Sequence, residues 1–390
     1  MFNQIISTRK RISLGLAALA MATLSACGGG FTNSGPTKAI NTSEPVPVAL
    51  LIPKFSSDAG SVAQSLENAA RMAVADLGDT KIDLRVYDTT GTAEIASQQA
   101  QKAVDDGAKI ILGPLYAEAA NAAAVMVADD GVNVISFSNN PTIAGANLFI
   151  LGKTFDNTAK RIVDFAASQG KTRAVVVYPN NVEGSFGLAA IEQAAKNTNL
   201  EIVSAQGFEF TQDGVVNAVP LIKAAVDIES ADLILLTSTS VGALPLLAQL
   251  LPEAGIDPSI IQYAGLARWD IPPQTLELKG LQGGWFTMPD FARTEEFSNR
   301  YQETFGARPH QLASLAYDGI AALGVLIESG KSDAFSAQNL TQAAGFQGVD
   351  GIFRLKSDGT NERGLTIAKV QDKQVLIIDP APRAFAIGGF

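Results

Sequence analysis

Val46-Pro47-Val48-Ala49-Leu50-Leu51-Ile52 is an unbroken apolar run, with Glu44-Pro45 before it and Pro53-Lys54 after it. Seven residues are short for a globular helix but suit a strand that is apolar on both faces, as in a parallel sheet covered on both sides. Toward the C-terminus, Val62, Leu66, Ala69, Ala70, Ala73 and Leu77 fall on one helical face. The pattern then repeats: strand 82–87, helix 93–104, strand 109–112, helix 118–128 and strand 132–136. Strand–helix alternation of this kind predicts a doubly wound α/β unit with a parallel sheet between helical layers.

A second series begins after Lys153. Helix 157–168 leads to strand 174–178, helix 186–196, strand 201–204, helix 215–226, strand 232–236, helix 242–251 and strands near Ile260 and Leu281. Helices over 295–304 and 312–328 follow, and strands near Ile352, Ile367 and Val375 close the chain. Ser357-Asp358-Gly359 reads as the turn of a hairpin. The expected fold class is α/β, with two similar parallel-sheet lobes in tandem.

The amino terminus has a different character. Arg9-Lys10-Arg11 precedes an apolar run of about 12 residues, well short of the roughly 20 that span hydrocarbon, so 1–26 reads as a cleavable signal peptide. Leu24-Ser25-Ala26-Cys27 resembles the lipobox of bacterial lipoproteins, which implies a lipid on Cys27 and attachment to a membrane. Cys27 is the only cysteine of 390 residues and has no internal disulfide partner. By resemblance to Gram-negative lipoproteins, Gly28 after it favours the outer membrane over retention in the inner one. From Gly28 to about Glu44 the composition is that of a flexible tether, with order expected from about Val46.

Removal of residues 1–26 leaves 364 residues and, with Arg9, Lys10 and Arg11 gone, takes the formal charge from −10 to −13. Such a chain has no basic stripe to displace phosphate counterions, which argues against a nucleic-acid partner. At 47% hydrophobic and 17% charged residues, it has ample material for two packed cores.

Most enzymatic chemistry lacks its residues. His310 is the only histidine, so a two-His zinc helix cannot be built. A Ser-His-Asp triad would have to use His310, which sits at a helix start after Arg308-Pro309. Gly152, Gly170 and Gly330 each open a Gly-Lys-Ser/Thr, but Asn147, Phe165 and Val325 stand where a phosphate loop needs its earlier glycine. Asp105-Asp106 and Asp129-Asp130 precede Gly107 and Gly131 and read as solvated turns. The expectation is a non-enzymatic binding module without cofactor or metal.

In open parallel sheets, loops at the carboxyl ends of strands form the ligand crevice. Two such lobes should line one cleft for a small polar ligand. The first contributes 54–60, 88–92, 113–118 and 137–141, with Tyr116 to stack on a ligand, Glu118 as a carboxylate, and Ser136, Ser138, Asn139 and Asn140 as short donors and acceptors. The second contributes 179–185, 237–241 with Thr237 and Ser238, and 266–270 with Trp269. Gly113-Pro114-Leu115-Tyr116 also leads into a helix whose first amides are unpaired. Ser and Asn serve turns equally well, and Tyr116 could instead cover the lobe edge.

Val48–Ile52, Gly113-Pro114-Leu115, Val134-Ile135-Ser136 and Leu315-Ala316-Tyr317-Asp318 together resemble the Leu/Ile/Val-binding type of periplasmic binding protein, over about 46–379. That resemblance implies two lobes joined by three crossings that close by a hinge. It puts the crossings near 150–154, 287–290 and 344–348, lobe 1 over 46–152 and 289–345, and lobe 2 over 153–288 and 346–390. Leu112–Glu118, Ser136–Asn139, Gly283-Gly284-Trp285-Phe286 and Gly348–Gly364 are similar to the penicillin-binding protein activator lipoproteins within that fold. This resemblance implies a regulator of peptidoglycan synthesis with a penicillin-binding protein as partner. The alternative is a solute receptor of an ABC importer. Amino-acid binders of the fold carry a serine after Gly-Pro-Leu-x, an aromatic on lobe 2, and an acid facing the ammonium. Here those places hold Ala117, the stretch 235–240 and Ala264-Gly265-Leu266, so the resemblance implies a weakened amino-acid clamp.

Overall fold

A computed structural model describes residues 37–385. Lobe 1 runs β1 (Val46–Ile52), α1 (Gly60–Asp76), β2 (Ile82–Asp88), α2 (Ala93–Asp105), β3 (Ile110–Leu112), α3 (Ala117–Met126), β4 (Asn133–Ser136) and β5 (Leu148–Ile150). Its five strands are all parallel, in the order β2-β1-β3-β4-β5. Alternation within β1 explains its unbroken apolar run. Val48, Leu50 and Ile52 join the core under α1, while Ala49 and Leu51 join the one under α2 and α3. Each buried aliphatic side chain of this size contributes roughly 1.5–3 kcal/mol of transfer free energy.

Lobe 2 contains α4 (Phe155–Ser168), β6 (Arg173–Pro179), α5 (Val182–Ala195), β7 (Glu201–Phe208), α6 (Gln212–Ile228), β8 (Leu233–Leu236), α7 (Leu244–Glu253), β9 (Gln262–Gly265) and β10 (Trp285–Met288). The chain then returns to lobe 1 with α8 (Phe291–Phe305), α9 (Ala313–Glu328) and the short α10 (Ala337–Leu340). Phe297, Tyr301 and much of α9 complete the core over α1. A small antiparallel sheet follows, made of β11 (Phe346–Gly348), β12 (Gly351–Leu355) and β13 (Asn361–Arg363). Finally β14 (Thr366–Gln371) and β15 (Gln374–Asp379) add antiparallel edges to the lobe 2 sheet, ordered β15-β14-β10-β9-β8-β6-β7.

The chain passes between lobes at 151–154, 289–290 and 364–365. The third is later than the 344–348 that the resemblance implies. Phe346, Phe353 and Leu355 belong to the lobe 1 core, so β11 and β12 stay with that lobe. The hairpin turn at Ser357-Asp358-Gly359 joins β12 to β13, and Gly359 adopts φ +81° there.

Three further expectations shift. β5 escaped the reading because three residues are too few to show a period. The strand expected near Leu281 begins at Trp285, since Leu281 ends a 3-10 turn and Gly283 takes φ +84°. Order also starts before Val46: the Ile40 amide donates to the Ser332 carbonyl at 2.8 Å, and its side chain is buried in lobe 1. The signal peptide, Cys27 and Gly28 lie outside the described residues.

Candidate functional site

The loop after β4 of lobe 1 and the start of α5 after β6 of lobe 2 line one shared hollow. On lobe 1, Tyr116 caps α3 without any side-chain hydrogen bond to the first amides. Its ring lies over Gly91, where a Cβ would come within 3.1 Å. Tyr116, Glu118, Phe55, Ser56, Asp58 and Thr90 line one concavity of about 840 Å³. Gly113, at φ +92°, makes the turn into this segment; a Cβ there would sit 2.1 Å from the Leu51 carbonyl oxygen.

Asn139 and Asn140 line a second hollow of about 660 Å³, shared with Phe155, Asp156, Glu183 and Phe186 of lobe 2. The structure therefore separates the two amides from Tyr116 and Glu118 while leaving all four accessible. Ser136 and Ser138 serve the loop itself. The Ser136 hydroxyl donates to the Pro114 carbonyl at 2.9 Å and accepts from the Ser138 amide at 3.0 Å, and the Ser138 hydroxyl accepts from the Asn140 amide at 3.1 Å. Both serines are buried.

The three lobe 2 candidates also lie inward. Thr237 and Ser238 are buried beyond β8, and neither hydroxyl has a hydrogen-bond partner among the described residues. Trp269 is wholly buried, stacked on Phe286 with ring centroids 5.8 Å apart, and belongs to the core under α6 and α7. Its position after β9 suggested a cleft residue. Gly265 and Gly284 instead open a slot for the indole, since a Cβ on either would lie 2.5 Å from it. Trp269 is therefore a core residue in this structure.

Sequence reading missed a group of charges at the hinge. Asn361 on β13 donates from Nδ2 to the carbonyls of Ile150 and Gly152, both at 2.8 Å, and so clasps the first crossing. Gly152 itself packs against the Phe137–Ser138 backbone; a Cβ would fall 2.3 Å from the Ser138 carbonyl oxygen. Beside it Lys153 Nζ lies 3.6 Å from Asp350 Oδ2, which also accepts the Ser314 hydroxyl at 2.8 Å. The Asp350 carbonyl accepts the Asp290 amide of the second crossing at 3.1 Å. Arg363, just before the third crossing, bonds the Leu151 carbonyl and sits 3.9 Å from Asp318, with both side chains buried. Asp318 Oδ1 accepts the Val349 amide at 2.7 Å.

Electrostatics within this group are uneven. Burial, reinforced by the neighbouring Asp350 charge, pushes the Asp318 carboxyl up to about 7. Burial opposes ionisation of Asp350 as well, but Lys153, Arg363 and the Ser314 hydroxyl outweigh it and hold Asp350 below the usual carboxylate range. Burial lowers Lys153, against the pull of Asp350. From lobe 2, Arg268 acts on both Lys153 and Asp350, and its guanidinium grips Asp270 with Nε at 2.6 Å. These charges are scattered over more than 200 positions of the chain, so spacing could not have grouped them; the available signal was a charge set in an apolar stretch, as at Asp318.

Against known proteins, the model of the periplasmic binding protein family matches residues 45–374. No curated protein sequence matches the chain. Among solved structures it is similar to a Rhodospirillum rubrum protein provisionally assigned to branched-chain amino acid ABC transport, at 18% identity and TM-score 0.72, covering 86% of this chain and all of the other. A substrate-binding protein of an ABC transporter from Desulfitobacterium hafniense, in complex with Leu, gives 19% and 0.63 over 86% and 100% of the two chains. A solute-binding protein from Rhodopseudomonas palustris BisB5, in complex with 3,4-dihydroxybenzoic acid, gives 20% and 0.58 over 87% and 97%. With the family model covering the ordered chain from β1 into β15, this protein belongs to the periplasmic binding protein family.

Proposed function

We propose that the protein is a solute-binding receptor that takes a small ligand in the groove between its lobes and closes on it by bending at the three crossings. The observation that carries this reading is a pair of α/β lobes, each with its own parallel sheet, sharing a hollow lined by Asn139 and Asn140 of lobe 1 and by Phe155, Asp156, Glu183 and Phe186 of lobe 2. Bending at the crossings lets a ligand touching both walls shift the population toward a closed state, by as much as its preference for that state. Relatives of this fold hold leucine in one case and 3,4-dihydroxybenzoic acid in another, so the ligand has to be argued from this chain's own groove.

We further propose that Cys27 carries the lipid that tethers the receptor to the outer membrane, the reading its lipobox supports. One observation favours a second role as a regulator docking on a penicillin-binding protein. Ala117 stands where the resemblance implies the serine of the amino-acid clamp, and Thr237, Ser238 and Trp269 are buried.

Thermal melting of the protein against amino acids, organic acids, short peptides and muropeptides tests the receptor reading. A ligand at 100 times its Kd should add about 2.7 kcal/mol to stability. A rise in Tm with one solute class supports a receptor. No rise with any class, together with co-purification of a penicillin-binding protein, supports the regulator instead.

A further inference from the structure

We propose that the carboxy-terminal segment 380–385 is a latch: rooted on lobe 2 and gripped by lobe 1, it holds the walls of the shared hollow apart and opposes their closure. The latch concerns the angle between the lobes, so it serves a solute receptor and a docking regulator alike.

Asp379-Pro380-Ala381-Pro382 sets two prolines with one residue between them. Each ring fixes φ at about −65° and drives the residue before it to extended backbone, so the chain leaves β15 as a stiff rod that passes on a displacement instead of absorbing it. The root of the rod is held on lobe 2. Arg161 of α4 donates from Nη2 to Asp379 Oδ2 at 2.9 Å and to the Pro380 carbonyl at 3.4 Å, and from Nε to the Leu365 carbonyl of the third crossing at 2.7 Å. The tip lies on lobe 1. There the Arg383 carbonyl accepts from Nε2 of Gln347 on β11 at 3.1 Å, and the Phe385 ring centre is 4.5 Å from the guanidinium of Arg354 on β12. Arg354 is itself held by Glu362 on β13 at 2.6 Å. Between root and tip, Pro382 passes over Gly364, where a Cβ would come within 3.1 Å of its ring. The segment thus runs back along the third crossing and adds a noncovalent tie between the lobes to the covalent ones.

Helix α4 connects this tie to the groove. Phe155 and Asp156 in its first turn line the shared hollow of about 660 Å³ together with Asn139 and Asn140, and Arg161 stands further along the same helix. Asp156 also lines a smaller hollow of about 310 Å³ that reaches Pro382 and Phe385. Drawing the lobe 2 wall toward Asn139 and Asn140 therefore moves α4, and with it Arg161 and the root of the rod. The contacts at the tip belong to the other lobe and have to break or slide. They are weak enough to do so, since Gln347 and Arg383 are exposed and Phe385 is half-buried. Losing one ordinary hydrogen bond and one exposed cation–π contact shifts an equilibrium about tenfold. A latch of that strength biases the lobes toward the spread arrangement without locking them there.

Crosslinking across the groove, with no solute added, reads how often the lobes close. In the full chain carrying Cys27→Ser, the substitutions Asn139→Cys and Glu183→Cys put one thiol on each wall of the shared hollow. With diamide kept low enough that oxidation is slower than the lobe motion, the rate of disulfide formation follows the fraction of molecules whose walls meet. Adding Gln347→Ala and Phe385→Ala should raise that rate about tenfold. Phe385→Tyr alone, which keeps a ring over Arg354, should leave the rate at its parental value. An unchanged or slower rate in the double alanine variant overturns the latch. A Phe385→Tyr rate equal to that of the double alanine variant overturns it as well. These readings need no bound solute, so failure of the latch and failure of the receptor reading, which the melting panel tests, are told apart.

Discussion

Lys153 and Asp350 meet across 3.6 Å, and through that contact the first crossing is tied to the segment that anchors the second. Arg363 ties the third to the same place through Leu151 and Asp318. A hinge is usually pictured as a flexible part. Here the crossings are held in a buried ionic and hydrogen-bonded knot, so the proposed closure would bend around fixed charges rather than through a loose linker.

Arg363→Met should therefore be strongly destabilising at pH 8, by roughly 3–5 kcal/mol, because it leaves buried carboxylates without their counter-charge. Asp318 holds its proton more tightly folded than unfolded, since its folded value of about 7 lies above the ordinary 3.8. Its contribution to stability is full below about pH 4 and is lost as pH rises through 7. The cost of Arg363→Met should accordingly be smaller at pH 5 than at pH 8. Denaturant unfolding at the two pH values checks this, and an equal cost at both would contradict the assignment of Asp318.

Gly152→Ala should cost about 1–3 kcal/mol and weaken ligand binding, because the new methyl meets the Ser138 carbonyl oxygen at 2.3 Å and displaces the crossing from the lobe 1 wall. Thermal melts of the variant, alone and with the solute of the panel that raises Tm most, read both effects.

Trp269→Phe should lower stability by roughly 1–3 kcal/mol and leave ligand affinity unchanged, as expected of an indole stacked in the lobe 2 core with its N–H unpaired. A large loss of affinity with unchanged stability would return Trp269 to the groove.

Cys27→Ser should release the protein from membranes into the soluble periplasmic fraction, since one residue would carry the whole anchor. Fractionation, with mass spectrometry of the amino-terminal peptide, gives the result.

Much of the fold was legible because strands buried on both faces declare themselves as apolar runs: β1 was read as 46–52 and is found over Val46–Ile52. The exceptions have local causes. β5 is three residues long, and Gly283 delays the start of β10. The lobe assignment of β11 and β12 depended on where Phe346 and Phe353 pack, which no periodicity records. Of the candidate residues, Tyr116, Glu118, Asn139 and Asn140 line two open hollows, because loops after parallel strands are placed by topology alone. Trp269, Thr237 and Ser238 follow strands in the same way and turn inward, because side-chain direction there is set by glycine slots and packing. Lys153 and Asp350 carried no local signal, and only the folded chain brings them together.

Small-angle scattering of the processed protein, alone and saturated with the solute of the panel that raises Tm most, is the direct test of lobe closure. The account predicts a fall in radius of gyration that tracks occupancy and is absent with a solute that leaves Tm unchanged. An unchanged radius of gyration with the ligand demonstrably bound would contradict closure of the two lobes around a shared solute.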